Sequence, residues 1–228
     1  MAIGLYGKLP SQGDFISRRL PWEFTQAWDD WLQAGIARAK AALGGGWNQA
    51  YMTAPLWRFQ LAPGVIGEQA WIGLWFASVD RVGRQFPLAL IEALPATCAD
   101  RYMLIEQDEV FLEVEDLALR ALDPRLGFDS FDALIEGRSL LRQPSVPFML
   151  VAQELSLDPS PPAARPARVL HLPVDADAAS ARAAAEALGP PGTCFFSWGN
   201  DQHQPLLVRG QGLPPDADFH GFLDAVWA

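Results

Sequence analysis

Apolar residues recur at Phe24, Ala27, Trp28, Trp31, Leu32, Gly35, Ile36, Ala39 and Leu43, the spacing of a helix that packs on one face. The pattern predicts a helix over Pro21–Leu43. Pro21 suits the first turn, where its missing N–H costs no bond. Gly44-Gly45-Gly46 then ends the helix, because glycine takes positive φ without a steric penalty. The next fifty residues change period. Trp57-Arg58-Phe59-Gln60-Leu61 alternates, Pro63-Gly64 turns, and Trp71–Val79 is an aromatic-rich apolar run. Phe86–Leu94 follows after the polar link Ser78–Gln85. Strands this closely spaced predict an antiparallel meander.

Acidic helices are expected next, over Ala99–Glu106, Asp108–Ala121 and Phe128–Gly137, and then a strand at Phe148–Gln153. Leu157–Arg168 carries four prolines and reads as a surface loop. Beyond it the pattern predicts a strand at Val169–Pro173, an Ala-rich helix over Asp177–Leu188, and a hairpin of Thr193–Trp198 with Pro205–Arg209. A short last helix ends at Trp227, with Asp216 or Asp218 as its cap. This succession predicts an α/β fold with a mixed, largely antiparallel central sheet. The length, 228 residues, fits one domain across 1–228.

Composition sharpens the picture. Half of the chain is hydrophobic, 19% is charged, and it holds nine Trp, three Tyr and thirteen Phe. That excludes a disordered chain, which needs few aromatics and dense charge. The formal charge is −10, the wrong sign for partners bound through their phosphates, so nucleic acid and membrane insertion are not expected. The charge is also unevenly placed. Residues 1–87 carry eight basic and six acidic residues, and residues 88–228 carry nine basic and twenty-one acidic. The first part is net +2 and the second net −12. Cys98 and Cys194 form no CxxC pair, and a core this large needs no disulfide, so reduced thiols are expected. MAIGLYGKLP lacks a basic leader region. The apolar stretches Gln69–Val79 and Ser145–Gln153 fall short of the roughly 18–20 residues that span a bilayer. A cytoplasmic location is the expectation.

Catalytic signatures are missing from the sequence. Gly7-Lys8 is followed by Leu9, so no Walker loop forms. The three glycines at 44–46 close a helix rather than open one, so no dinucleotide fingerprint and no cofactor are implied. There is no Gly-x-Ser-x-Gly elbow. Asp216-Ala217-Asp218-Phe219-His220 and Asp201-x-His203 bring metal-ligating types together, but helix capping and a solvated turn explain them more simply. Helical spacing makes the acidic run Glu106–Asp116 a solvent face.

Two segments are harder to explain as packing. Gly7-Lys8-Leu9-Pro10-Ser11-Gln12-Gly13-Asp14-Phe15 is rich in turn formers, and Ser78-Val79-Asp80-Arg81-Val82-Gly83-Arg84-Gln85-Phe86-Pro87 interrupts two apolar strands with three charges. Arg58 lies between Trp57 and Phe59 in a strand, where a guanidinium fork would pair with Asp14 or Asp80. Lys8, Asp14, Arg58, Ser78, Asp80, Arg81 and Arg84 are therefore the candidate structural or partner-contact network. The alternative is a small-molecule or enzymatic site around Asp14, Arg58, Asp80, Arg81 and Arg84, which requires them to line one cavity.

These residues also carry a resemblance. Tyr6-Gly7-Lys8-Leu9-Pro10-Ser11-Gln12-Gly13-Asp14-Phe15, Trp28-Asp29-x-Trp31-Leu32, Ala54-Pro55-x-Trp57-Arg58-Phe59 and Ser78-Val79-Asp80-Arg81-Val82-Gly83-Arg84-x-Phe86-Pro87-Leu88 resemble the TagF/ImpM family of type VI secretion-associated proteins. The blocks cover residues 1 to about 95, the motif-bearing part. The acidic remainder, 96–228, offers only Ser197-Trp198-Gly199. The resemblance implies a three-layer α/β/α sandwich. It also implies a non-enzymatic cytoplasmic accessory protein, a post-translational repressor that binds the forkhead-associated (Fha) scaffold protein of the secretion system. Some relatives carry a protein phosphatase domain, for which this chain has no room. The family supplies no agreed catalytic residues.

Overall fold

A computed structural model describes residues 2–142, 168–225 and 227. Its strands are β1 (Gly4–Gly7), β2 (Ile16–Arg18), β3 (Trp57–Leu61), β4 (Ala70–Phe76), β5 (Leu88–Leu94), β6 (Arg168–His171), β7 (Thr193–Ser197) and β8 (Leu206–Gly210). They form one sheet in the order β2-β1-β5-β4-β3-β7-β8-β6. Every pairing among these strands is antiparallel, so among the described residues the sheet is antiparallel throughout rather than mixed. The α-helices are α1 (Trp22–Leu43), α2 (Trp47–Met52), α3 (Met103–Glu106), α4 (Asp108–Arg120), α5 (Phe128–Ile135), α6 (Ala178–Ala187) and α7 (Gly221–Asp224). The expected strand at Phe148–Gln153 lies outside the described residues, as does the Pro-rich segment up to residue 167.

Alternation along the strands builds a core on each face, because successive side chains point to opposite sides. On one face Trp57, Phe59, Leu61, Trp71, Trp75, Ala89, Ile91 and Phe195 meet the apolar stripe of α1 together with α2 and α7. On the other, Ile72, Leu74, Phe76, Leu88, Leu90, Cys194 and Phe196 meet α3, α4, α5 and α6. The fold is thus an α/β/α sandwich. Trp31 anchors the aromatic face, with Phe195, Phe219 and Phe222 at 5.7, 5.4 and 6.0 Å between ring centroids. Such pairs contribute about 0.5–1.5 kcal/mol beyond their buried area. Trp31 Nε1 donates to Pro214 O at 2.9 Å and Trp57 Nε1 to Phe222 O at 2.8 Å, so two indoles also fasten the C-terminal segment.

Four elements depart from the sequence reading. The helix expected over Ala99–Glu106 is only the four-residue α3, Met103–Glu106, preceded by a 3₁₀ turn at Ala96–Cys98. The N-terminal segment pairs as β1 and β2, with Gly4 opposite Ile91 and Gly7 opposite Leu88. Both strands are short, β1 begins and ends in glycine, and the edge that β1 joins is supplied by β5, more than eighty positions away. At Gly7, φ is +136° and a Cβ would stand 2.0 Å from Pro87 O, so only glycine lets the two backbones approach. Gly44–Gly46 forms a 3₁₀ turn that leads directly into α2. Near the C-terminus, Asp216–Asp218 forms a 3₁₀ turn that starts after Pro215, and α7 starts after His220. Asp216 pairs with Arg38 at 3.2 Å rather than capping the helix.

Candidate functional site

Two loops at one end of the sheet pack against each other. The first, residues 8–15, joins β1 to β2, and the second, residues 77–87, joins β4 to β5. Asp80 ties them together. Its side chain has no solvent-exposed surface. Oδ2 meets Lys8 Nζ at 2.9 Å and Arg84 Nε at 2.6 Å. Oδ1 accepts from the backbone N–H of Val82 at 3.1 Å and of Arg84 at 2.9 Å. Burial pushes the Asp80 carboxyl upward, but the Lys8 ammonium, the Arg84 guanidinium and the two amides together outweigh it. They hold the group well below the usual carboxylate range. Gly83 supplies the tight reversal with φ at +83°, which a side chain would resist.

Further bonds lock the base. Ser78 Oγ donates to Lys8 O at 2.8 Å. Arg81 N donates to Gln12 O at 2.8 Å, and Arg84 Nη2 to Gly13 O at 2.6 Å. Tyr51 of α2 donates its hydroxyl to Ser78 O at 2.8 Å and accepts from Ser78 N at 3.1 Å. Burial raises the Tyr51 phenol, more than the Ser78 bond lowers it, so the hydroxyl stays a donor. Trp47 Nε1 donates to Gln85 Oε1 at 2.5 Å. Phe15 packs edge-on to Phe86 at 4.8 Å, with Lys8 Nζ 5.0 Å from its ring centroid. On this base the outermost side chains are Phe15, 43% exposed, and Val82, 70% exposed, together with Arg81 and Arg84.

The seven sequence candidates therefore separate. Lys8, Ser78, Asp80 and Arg84 form one buried-to-rim cluster, with Arg81 at its edge. Asp14 is exposed, and its Oδ1 accepts from Phe15 N at 2.8 Å. Arg58 is not paired with Asp14 or Asp80. It points to the opposite face from Trp57 and Phe59, where Nη1 meets Asp108 Oδ1 and Nε meets Glu115 Oε1, each at 2.6 Å. Its guanidinium lies 4.9 Å from the Phe111 centroid. Gln60, two residues on, accepts from Met103 N at 3.0 Å and donates to Arg101 O at 2.7 Å. One strand face thus pins α3 and α4 through two polar side chains. This also corrects the reading of Glu106–Asp116 as a solvent face. Asp108 and Glu115 turn toward Arg58, and Glu106, 8% exposed, pairs with Arg101 and Arg182. Glu109, Glu113 and Asp116 remain outward.

Tyr51 and Trp47 escaped the sequence reading because α2 is six residues long and carries no motif. The sequence carries no signal that places them beside Ser78 and Gln85.

Chemically, the cluster is built to present a loop. The Lys8 ammonium is committed to Asp80, Asp80 is held ionised, and the Ser78 hydroxyl is spent on a carbonyl. A cleft of about 790 Å³ lies elsewhere, lined by Ile105, Gln107, Asp108, Arg142, Arg182 and Glu186 among others, and by none of the seven candidates. Among the described residues no group of three His, Cys, Asp or Glu is placed to hold a metal ion, and no helix is long and apolar enough to cross a membrane.

A family model described as "TagF N-terminal domain, Type VI secretion system-associated" matches residues 4–137. That stretch contains both loops, α1 through α5, and the first five strands. The crystal structure of PA0076 from Pseudomonas aeruginosa PAO1 is similar over 100% of this chain and 96% of that one, with 33% identity and a TM-score of 0.76. No curated protein matches the chain.

Proposed function

Because the chain belongs to the TagF N-terminal domain family of type VI secretion system-associated proteins, we propose that it is an accessory regulator of that system. It acts as a cytoplasmic repressor without catalysis of its own, by binding a scaffold protein. The family resemblance points to the forkhead-associated scaffold. The observation that carries the reading is the loop pair. Asp80 and its partners fix a base from which Phe15, Arg81 and Val82 project into solvent. Exposed apolar and Arg side chains on a preorganised base are the anchors that protein partners bury, because little ordering entropy is lost on docking.

The test is affinity capture of the tagged chain from cells that carry a type VI system, beside a Val82→Glu variant. The expected result is recovery of a scaffold component by the wild-type chain and its loss in the variant. Overexpression is expected to lower secretion by the system, and deletion to raise it. Capture of no system component, with secretion indifferent to both, would overturn the reading.

A further inference from the structure

We propose that Arg81 and Arg84 form an oxyanion-recognition pair, and that its ligand is an acidic group, carboxylate or phosphate, borne by the protein partner. The partner's being a protein rests on the reading above; the oxyanion chemistry rests on the geometry alone.

Both guanidinium groups lie against Gly13. Arg84 Nη2 donates to Gly13 O at 2.6 Å. Arg81 lies against the open face of the same glycine, where a Cβ would stand 3.3 Å from Arg81 Nη2 and 3.8 Å from its Cζ. A side chain at position 13 would therefore crowd the Arg81 head. Two cations gathered at one residue favour an anion beside them, and Asp80 is already engaged at both oxygens. Asp80 Oδ2 serves both Lys8 and Arg84, and Oδ1 takes two amides. Arg81 makes no ion pair with a described residue. Lys8, Arg81 and Arg84 carry three positive charges against the two of Asp80 and Asp14, whose Oδ1 accepts from Phe15 N, so the cluster keeps a surplus of one.

A positive surplus on a chain of net charge −10 also restricts the ligand. The long-range field repels polyanions such as duplex nucleic acid and an anionic bilayer. A single oxyanion, approached at close range by two planar forks, is the species these donors fit. Arg84 holds its Nε and Nη2 on the protein and keeps Nη1 for a ligand. Phe15 and Val82 flank the pair with exposed apolar surface, which favours an acidic side chain on a peptide over a free ion.

The experiment is calorimetric titration of the full chain with inorganic phosphate and with three versions of one short neutral peptide. The versions carry a central Glu, phosphoserine or Gln. The expected result is binding of the Glu or the phosphoserine peptide, which identifies the source as carboxylate or phosphate, and none of the Gln peptide. Arg81→Gln should weaken that binding at least about tenfold, as loss of a charge-assisted pair does. Gly13→Val should do the same with every charge retained. Both positions leave Asp80 and its partners in place, so the melting temperature should stay within about 2 °C of wild type. Binding of free phosphate alone, or peptide binding indifferent to both variants, overturns the proposal. The capture experiment separates the two readings. If wild type and Arg81→Gln recover the scaffold equally, this site falls while the regulatory role stands. If neither recovers it, the role falls and the titration still decides the site.

Discussion

Arg58→Ala removes the cation that two carboxylates of α4 turn toward. The Arg58 side chain is 1% exposed, whereas Asp108 and Glu115 are 22% and 16% exposed. Breaking a buried ion pair costs about 3–5 kcal/mol, chiefly by stranding the remaining charge. Here water reaches both carboxylates in part, which pulls the cost toward the lower bound. Loss of the guanidinium over Phe111, at 4.9 Å, adds about 1 kcal/mol. The sum is about 4 kcal/mol. At about 2–4 °C per kcal/mol for a domain of this size, the melting temperature should fall by about 8–16 °C. Urea unfolding followed by circular dichroism measures it, with an unchanged slope showing that the same surface unfolds. The triple variant Arg58→Met, Asp108→Asn, Glu115→Gln should recover more than half of the loss, because a neutral, well-filled site needs no cation. An Arg58→Ala cost under about 0.5 kcal/mol, or a loss deepened by neutralising the carboxylates, would show that the pairing does not stabilise the fold.

Three further outcomes are expected. The depressed Asp80 carboxyl contributes stability that is fully present above the unfolded value of 3.8 and is lost as pH falls below it; acid titration of Asp80→Asn should show a flatter acid limb than wild type. Gly35→Ala places a Cβ 2.2 Å from the Phe219 ring, so overpacking should destabilise the chain by about 1–3 kcal/mol even though alanine is the better helix former by about 1 kcal/mol; a rise in melting temperature would count against that packing. Burial pushes the Cys194 thiol well above its usual value while Cys98 is partly exposed, so a thiol reagent should label Cys98 in the native state and Cys194 only after unfolding.

The legible parts of the fold were those whose signal is local. The Trp-lined stripe of α1, the alternation of β3 and the apolar runs of β4 and β5 can each be read inside a window of a few turns or strands. The Ala-rich α6 announces itself too, and Asp177 caps it by accepting from Ser180 N at 2.8 Å. What escaped depends on distant pairing. Gly4–Gly7 is a strand because β5 offers it an edge, and nothing in Gly-Leu-Tyr-Gly demands that. The site divides in the same way. Asp80, Arg84 and the loop between them are close in sequence, and their importance was visible as charge set between apolar strands. Lys8 as the buried partner of Asp80 was not visible. Nor was the pairing of Arg58 with α4, because alternation fixes which face a side chain takes but not which carboxylate waits there.

The strand order has a consequence for how the chain assembles. The meander of β3, β4 and β5 and its neighbour β1 all lie within the first hundred residues, yet the free edge of β3 is covered only by β7, at Thr193–Ser197. The ring of Phe195, Phe219 and Phe222 around Trp31 comes from the same late stretch. During synthesis the first half therefore emerges with an open hydrogen-bonding edge and an uncovered aromatic floor, and both wait for residues that arrive about a hundred positions or more later. Contacts this remote in sequence close slowly, and an unpaired edge is a template for the wrong neighbour in the meantime. The recognisable half of the molecule is thus the half that cannot finish by itself, and the less recognisable half serves as its seal.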